Sequence, residues 1–358
     1  MNDHIPQSYH TLPPGTVLPH NYIIERVLGE GGFGITYCCK VRHTDEHFAL
    51  KEYFPNHIAY RRIEQESSTV VPFPEHQELF ERERRRFLTE ASILQEFQQL
   101  EHIVGVKDII EANGTFYLVM KLIDGLTLKQ YIKENEPLSF DELFQLIAPV
   151  LRDLIQVHKK GLLHGDISPD NLILGTDNQF HLIDFGSANL ESMTEQESKT
   201  VILKHGFAPP EQYFPNGKLG PWTDVYGMCA TIYYALTGIT PPESVMRLQN
   251  DELPSLSDYA PILSWQAKAI EKGLCPQAAH RYQTMEALYQ AMLIPPLSVR
   301  FPKNCTAEQS HKNILLHSMK WIVLGILLVG ILLFYNGLGT SKSGILTMIC
   351  TQNSGHIH

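Results

Sequence analysis

Paired cysteines, a dense basic run and a leading apolar segment are all missing from this sequence. The spacing of its six cysteines is neither that of a disulfide framework nor that of a metal site, so we expect reduced thiols of a cytosolic body. The formal charge is −10, and no basic stretch is dense enough to neutralise a row of nucleic-acid phosphates. Residues 1–20 lack the basic-then-apolar order of a signal peptide. We therefore expect no nucleic-acid partner and a chain that begins in the cytosol.

Only one long apolar run is present, near the C-terminal end of the sequence. Residues 318–338 would span about 30 Å as a helix, which is enough to cross the core of a bilayer. Trp321 and Tyr335 lie at the ends of the run, where interfacial aromatic residues are typical. Lys312 and Lys320 precede Trp321, and only Lys342 follows the run, which predicts a single-pass membrane protein with a cytoplasmic N-terminal body. The alternative is a buried core helix.

The stretch His-Gly-Asp-Ile-Ser-Pro-Asp-Asn at 164–171 carries the chemistry of the sequence, together with Asp-Phe-Gly at 184–186. Asp166 can accept the proton of an acceptor hydroxyl group. Asn171 and Asp184 can hold Mg²⁺ against the phosphates of a nucleotide. This arrangement is typical of phosphoryl transfer from a metal-bound nucleotide.

A glycine-rich loop, Gly-Glu-Gly-Gly-Phe-Gly at 29–34, follows a predicted strand over residues 22–28. Glycines in a hairpin turn are the simpler interpretation of the loop alone. A second predicted strand, 35–41, follows directly, whereas a dinucleotide site would continue into a helix. The pattern therefore favours a flap whose backbone N–H groups approach nucleotide phosphates.

A third predicted strand, 48–51, ends in Lys51 at the distance expected for a phosphate-binding lysine. Such a lysine needs a carboxylate to position it, and the helix predicted over 77–99 offers Glu90 beside an apolar stripe. Residues 52–76 between them look like an ordered insertion of unknown role.

The remaining segments predict a hairpin and a helical part. Asn113-Gly114 indicates a type I′ turn between strands 106–110 and 115–120. Backbone groups at 121 and 123 are candidates for the adenine edge. Ser139 and Glu142 predict the capping box of a long helix, and a second apolar helix runs from Trp222 to about Leu236. The late Arg281 is a candidate partner for Glu211.

Taken together, these motifs resemble the protein kinase family in its bacterial eukaryotic-type branch, over about residues 16–294. The resemblance implies an α+β, bilobal fold that uses ATP and Mg²⁺ and acts on a protein substrate. The predicted divisions are a disordered N-terminus (1–15), a β-rich N-lobe (about 16–122), a helical C-lobe (about 123–294), a linker (295–317), a transmembrane helix (318–338) and a short tail (339–358).

By that likeness Lys51 holds the α- and β-phosphates and Glu90 orients Lys51. Asp166 is the catalytic base that positions the acceptor hydroxyl, and Asn171 and Asp184 bind Mg²⁺. Met120 is at the gatekeeper position. The nucleotide-binding residues implied are Leu28, Gly29, Gly31, Gly32, Phe33, Gly34, Ala49, Lys51, Met120, Lys121 and Ile123.

Three positions depart from the family pattern. Gly165 replaces the usual catalytic-loop arginine, so we predict that phosphorylation of the following segment (Ser192, Thr194, Ser198 or Thr200) is not strictly required. Ser168 stands where a lysine is common, and Lys204 where a threonine is common. We expect Lys204 Nζ to lie within hydrogen-bond reach of Asp166 or Ser168 and to stabilise the transferring phosphoryl group. A solvated Lys204 is the alternative.

The resemblance implies a serine/threonine protein kinase, with the hydroxyl class inferred from Pro169 by family analogy. One alternative is a pseudokinase that serves as a membrane-tethered scaffold. Another is a small-molecule phosphotransferase of the aminoglycoside or choline type, which the His-Gly-Asp wording also fits. The substrate, the activating signal and the oligomeric state are not legible in the sequence.

Overall fold

The computed structural model describes residues 10–64, 67–185, 189–190, 203–214 and 216–295. The strands are β1 Val17–Leu18, β2 Tyr22–Glu30, β3 Gly34–Val41, β4 His47–Tyr53, β5 Ala59–Glu64, β6 Ser67–Pro72, β7 Val106–Ala112, β8 Thr115–Lys121, β9 Gly125–Thr127, β10 Leu162–Leu163, β11 Leu172–Gly175, β12 Phe180–Leu182 and β13 Asn189–Leu190. The helices are α1 Gln77–Gln95, α2 Leu128–Glu134, α3 Phe140–Lys159, α4 Pro210–Tyr213, α5 Pro221–Thr237, α6 Ser244–Arg247, α7 Ser264–Gly273 and α8 Met285–Leu293.

A six-stranded antiparallel sheet in the order β1-β2-β3-β4-β8-β7 forms the N-lobe. β4 lies in its middle and alternates its side chains between the two faces. Leu50 and Glu52 lie on one face, where the apolar residues form a hydrophobic cluster, and Ala49 and Lys51 lie on the other. The sheet therefore supplies a rigid support for Lys51.

The insertion 52–76 contains the hairpin β5–β6. Val70 N on β6 donates to Asn113 O in the turn of the β7–β8 hairpin at 2.8 Å, which ties the two hairpins together.

The segment before β1 is also packed. Leu12 is buried and its N–H donates to Tyr37 Oη at 3.0 Å. The predicted disorder of residues 1–15 is therefore wrong for residues 10–15, because burial of Leu12 fixes them, and residues 1–9 lie outside the described ranges.

The helical lobe packs around α5, which is buried along nearly its whole length. α3 begins with the predicted capping box, in which Ser139 Oγ accepts from Glu142 N and Glu142 Oε2 accepts from Ser139 N. α1 ends at Gln95, four residues before the predicted Gln99, and the chain turns there because Glu96 N bonds back to Ile93 O. The two lobes confirm the bilobal α+β fold.

Within the described ranges no helix is long and apolar enough to cross a membrane. The predicted span 318–338 lies outside those ranges, as do the tail 339–358 and all of the linker except residue 295. The membrane anchor stays a prediction.

Candidate active site

The loop 164–171 is anchored to α5 by Asp224. Two successive backbone N–H groups, those of His164 and Gly165, donate to the two carboxylate oxygens of Asp224 at 2.8 Å each. Gly165 has a φ of +74°, in the left-handed region that glycine enters without strain. The loop can therefore turn and present both N–H groups to the same carboxylate.

Asp224 is buried and also accepts a hydrogen bond from His158 Nε2 at 2.7 Å. Burial raises the pKa of Asp224, but the hydrogen bonds and charge of its surroundings, led by His158, outweigh burial and hold that pKa below its usual value. Asp224 is therefore a fixed anion at the base of the catalytic loop.

His164 connects the loop to the strand that leads to Asp184. Its Nδ1 accepts from Asp166 N at 3.2 Å, and its Nε2 donates to Ile183 O at 3.0 Å. These roles require a neutral ring with the proton on Nε2. Burial lowers the pKa of His164, which favours the same neutral form.

Asn171 brings the two predicted motifs together. Its Nδ2 donates to the backbone oxygen of Asp166 at 2.8 Å and to Asp166 Oδ2 at 2.9 Å. Its backbone oxygen accepts from Ile183 N at 2.9 Å, next to Asp184. Burial raises the pKa of Asp166, against the lowering effect of Lys204. Asp166, Asn171 and Asp184 therefore share one cleft.

Lys51 reaches this cleft from the N-lobe. Its ammonium forms an ion pair with Asp184 Oδ1, although the two residues belong to different lobes. The Lys51 side chain is nearly buried, whereas the Asp184 side chain is 42% exposed. Asp184 has a φ of +64°, a backbone conformation that is uncommon outside glycine.

Glu90 lies on the buried face of α1 but contacts a different cation from the one predicted. Arg86 Nε donates to Glu90 Oε1 at 3.1 Å, one helical turn earlier. Lys51 is close enough to lower the pKa of Glu90, yet its ion pair is with Asp184. The orientation of Lys51 by Glu90 stays a prediction, since in this structure the carboxylate is held by its own helix.

Lys204 confirms the geometry expected from its sequence position. Its Nζ lies 2.9 Å from Asp166 Oδ2 and 2.9 Å from Ser168 Oγ. The turn that follows holds the backbone in place, because Phe207 N and Ala208 N both donate to Lys204 O at 3.0 Å. The solvated alternative does not describe this side chain.

The predicted nucleotide-binding residues lie along the same sheet. The glycine loop closes the β2–β3 hairpin, where Gly31 N donates to Gly34 O at 2.9 Å. A Cβ at Gly34 would lie 2.3 Å from Glu52 O, so only glycine permits β3 and β4 to approach this closely. Ala49 pairs with Met120 across β4 and β8, where β8 ends at Lys121 and leads to Ile123. Leu28 and Gly29 lie at the end of β2, and Gly32 and Phe33 lie in the connection to β3.

Residues 22–295 match the family described as the protein kinase domain. The chain belongs to the protein kinase family. Serine/threonine-protein kinase D of Synechocystis sp. is 31% identical over 280 residues, covering 76% of this chain and 51% of that protein. Serine/threonine-protein kinase PrkC of Bacillus subtilis is 29% identical over 212 residues, covering 56% of this chain and 32% of that protein.

Among solved structures, the apo form of PpkA-294 superposes with a TM-score of 0.66 and 28% identity. The match covers 79% of this chain and 99% of that chain. By contrast, this chain spans about half the length, or less, of the curated kinases that it matches.

The kinase family in general uses ATP and Mg²⁺, and the residues present fit the metal. Asn171 Nδ2 is engaged with Asp166, which leaves the amide oxygen of Asn171 as its remaining acceptor. Asp184 adds a partly exposed carboxylate. Hard oxygen ligands of this kind, supplemented by phosphate oxygens, suit Mg²⁺. Within the described ranges no group of three or more His, Cys, Asp or Glu residues forms a metal site.

Sequence reasoning missed two supporting side chains, those of His158 and Gln212. His158 and Asp224 are far apart in sequence, and their pairing needs the packing of α3 on α5. Gln212 Nε2 donates to Gly165 O at 2.7 Å, and this contact forms only because the fold brings residues 47 apart in sequence together. The predicted Glu211–Arg281 pair is confirmed as a bidentate ion pair, with N–O distances of 2.7 and 2.9 Å.

Proposed function

We propose that this chain is an ATP-dependent serine/threonine protein kinase that transfers the γ-phosphoryl group of Mg·ATP to a protein hydroxyl. The observation that carries the proposal is the convergence of Lys51, Asp166, Asn171 and Asp184 on one cleft. Family membership supports the phosphoryl chemistry, and the serine/threonine kinases among the relatives support the acceptor class.

Each side chain then has a defined task. Asp166 accepts the proton of the acceptor hydroxyl and aligns its oxygen with the γ-phosphorus. Asn171, by donating to Asp166, fixes that carboxylate and keeps its own amide oxygen for the metal. Asp184 would hold the metal together with Asn171, and Lys51 would bind the α- and β-phosphates. The chemistry that Mg²⁺ would supply there is neutralisation of the charge on the phosphate oxygens.

The full-length protein should transfer ³²P from labelled ATP to a generic protein acceptor such as dephosphorylated casein. Asp166→Ala should lower this transfer by a factor of about 10² or more, because the proton acceptor is removed. Asp170→Ala is the matched control, since Asp170 is in the same loop but pairs with Lys129 at the surface.

Three outcomes of this assay would contradict the proposal. Equal transfer by the Asp166→Ala variant would remove the proposed base. Binding of Mg·ATP without any transfer would indicate a scaffold. Transfer to choline or an aminoglycoside with none to protein would indicate a small-molecule phosphotransferase.

We further propose that residues 318–338 anchor the kinase domain to a membrane, with the domain on the cytoplasmic face. The apolar run and its flanking aromatic residues support this. The full chain should remain in the membrane pellet after a carbonate wash, while a chain ending at residue 300 should appear in the supernatant. Recovery of both proteins in the same fraction would contradict the anchor.

A further inference from the structure

Lys204 is placed where a cation can act on the reacting groups and not only on the surface. Its side chain is 28% exposed, and that of Asp166 is 22% exposed. The ammonium lies 2.9 Å from the carboxylate of the proposed base and the same distance from Ser168 Oγ. A phosphoryl group that is positioned next to Asp166 for transfer therefore also lies close to Lys204 Nζ.

The backbone around Lys204 is built to hold that position. Gly206, with a φ of +79°, makes the turn in which two N–H groups bond to Lys204 O. Ser244 Oγ, from α6, donates to Ala208 O at 2.7 Å. Gln212 reaches the oxygen of Gly165 in the catalytic loop. The lysine is thus fixed from both sides of its turn by neutral hydrogen bonds.

Ser168 completes the arrangement because it adds no charge of its own. It is fully buried, and its hydroxyl oxygen accepts from Lys204. Lys51, the other cation of the cleft, is paired with Asp184. The two lysines therefore reach the cleft from different elements, Lys51 from β4 and Lys204 from the segment that follows Asp184.

We propose that Lys204 is a catalytic residue whose ammonium faces the γ-phosphoryl group and stabilises the charge on its oxygens during transfer. This rests on the proposed kinase function. In the step, the acceptor oxygen forms a bond to the γ-phosphorus while its proton passes to Asp166. The bond between the γ-phosphorus and the bridging oxygen breaks, and ADP leaves with that electron pair. A preorganised cation at this point lowers the barrier without reorganisation.

The test is a reciprocal exchange of the two side chains in the full-length protein. Lys204→Met keeps the length of the side chain but removes the charge, and it should lower kcat about 10²-fold to 10³-fold with a small change in KM for ATP. The double variant Ser168→Lys with Lys204→Ser exchanges the two side chains, so that the ammonium is at position 168 and the hydroxyl at position 204. It should recover at least tenfold of the lost kcat. Lys218→Met, at an exposed lysine nearby in sequence, is the control.

A binding measurement separates this proposal from the kinase function itself. Calorimetry should show that aluminium fluoride, which mimics the transferring phosphoryl, tightens the binding of Mg·ADP to the wild-type protein. In Lys204→Met the gain in Mg·ADP affinity on adding aluminium fluoride should be at least tenfold smaller. The affinity for Mg·ADP alone should be unchanged. A lysine that only pins its segment would leave the gain unchanged.

Full kcat in Lys204→Met, a double variant no better than Lys204→Met, or an unchanged aluminium fluoride gain would each overturn the proposal. If the wild-type protein transfers nothing to any acceptor, the kinase function fails, and the aluminium fluoride measurement still decides the role of Lys204.

Discussion

Two buried carboxyl groups, Asp224 and Glu90, show how neighbours decide the charge of a residue. Asp224 accepts hydrogen bonds from two backbone N–H groups and from His158, and its pKa is lowered. Burial raises the pKa of Glu90 to about 8, although Arg86 and Lys51 both act to lower it. Asp224 is therefore an anion throughout the physiological range, whereas Glu90 titrates within it.

Glu90 should make the stability of the protein depend on pH. The folded protein keeps a proton on Glu90 up to about pH 8, while the unfolded chain releases it near its ordinary value of 4.5. The folded state binds more protons in this window, so the free energy of unfolding should fall as pH rises from about 4.5 to 8, by at most about 1.4 kcal/mol per pH unit.

Glu90→Gln should remove that part of the dependence, since an amide does not titrate. The measurement is the free energy of urea unfolding between pH 5 and 8, with the exposed Glu78→Gln on the same helix as control. Equal slopes for Glu90→Gln and the wild-type protein would show that Glu90 is already ionised in the folded state.

Part of this site was predictable from residue types and part was not. Lys204 could be placed next to Asp166 because the departures at 168 and 204 were complementary, and the distances confirm it. The partner of Glu90 could not be predicted in the same way. Arg86 and Lys51 are both within reach, and only the position of the helix relative to the sheet decides between them.

At the scale of elements, the β5–β6 hairpin is attached to the sheet by a buried polar cluster that we call the Glu52 cluster, consisting of Glu52, Arg61, Tyr37 and Tyr117. Arg61 Nη2 lies 2.5 Å from Glu52 Oε2, and the two hydroxyls donate to the same carboxylate at 2.9 and 2.7 Å. Glu52 follows Lys51 directly on β4, so the insertion supports the strand that carries Lys51.

Removing one member of the ion pair should be costly. Arg61→Met would leave Glu52 as a buried anion without its cation, and we expect a loss of about 3–5 kcal/mol in unfolding free energy. The neighbouring Arg62→Met should cost much less because that side chain is exposed. Urea denaturation measures both.

Adding Glu52→Gln to Arg61→Met should recover part of the loss, since the unpaired charge is gone. If Arg61→Met and Arg62→Met proved equally stable, the Glu52 cluster would not hold the insertion.

Elements specified by residues close together in sequence could be predicted, whereas the role of the β5–β6 hairpin could not. Asn113 and Gly114, with φ values of +52° and +69°, form the predicted turn, and the α3 cap depends on residues three apart. The role of the insertion depends on Tyr37 and Tyr117, which come from other parts of the chain. Such contacts exist only after the sheet is assembled.

At the scale of the whole molecule, α1 joins two hydrophobic clusters. Phe80 near its start packs in the cluster on the sheet, whereas Ala91 and Leu94 near its end pack in the cluster of the helical lobe. Glu90 lies between them. A shift of α1 would therefore change the packing of both clusters at once. It would also change the distance between Glu90 and Lys51.

We expect the protein to be active without phosphorylation of the segment that follows Asp-Phe-Gly. Gly165 has no side chain to bind one, and its oxygen is instead held by Gln212. Changing Ser192, Thr194, Ser198 and Thr200 together to Ala should keep kcat within about threefold, because no charge coupling to Gly165 is lost. These four residues lie outside the described ranges. Turnover with labelled ATP is the measurement, and loss of activity in the fourfold variant would contradict the prediction.

The burial of Asp224 has a consequence for how the protein opens. The amide hydrogens of His164 and Gly165 are bonded to a carboxylate in the interior of the helical lobe, so they can reach solvent only when α5 itself separates from its neighbours. In deuterated water these two amides should exchange as slowly as those of α5, even without nucleotide. The reaction centre would then be among the last parts of the protein to melt.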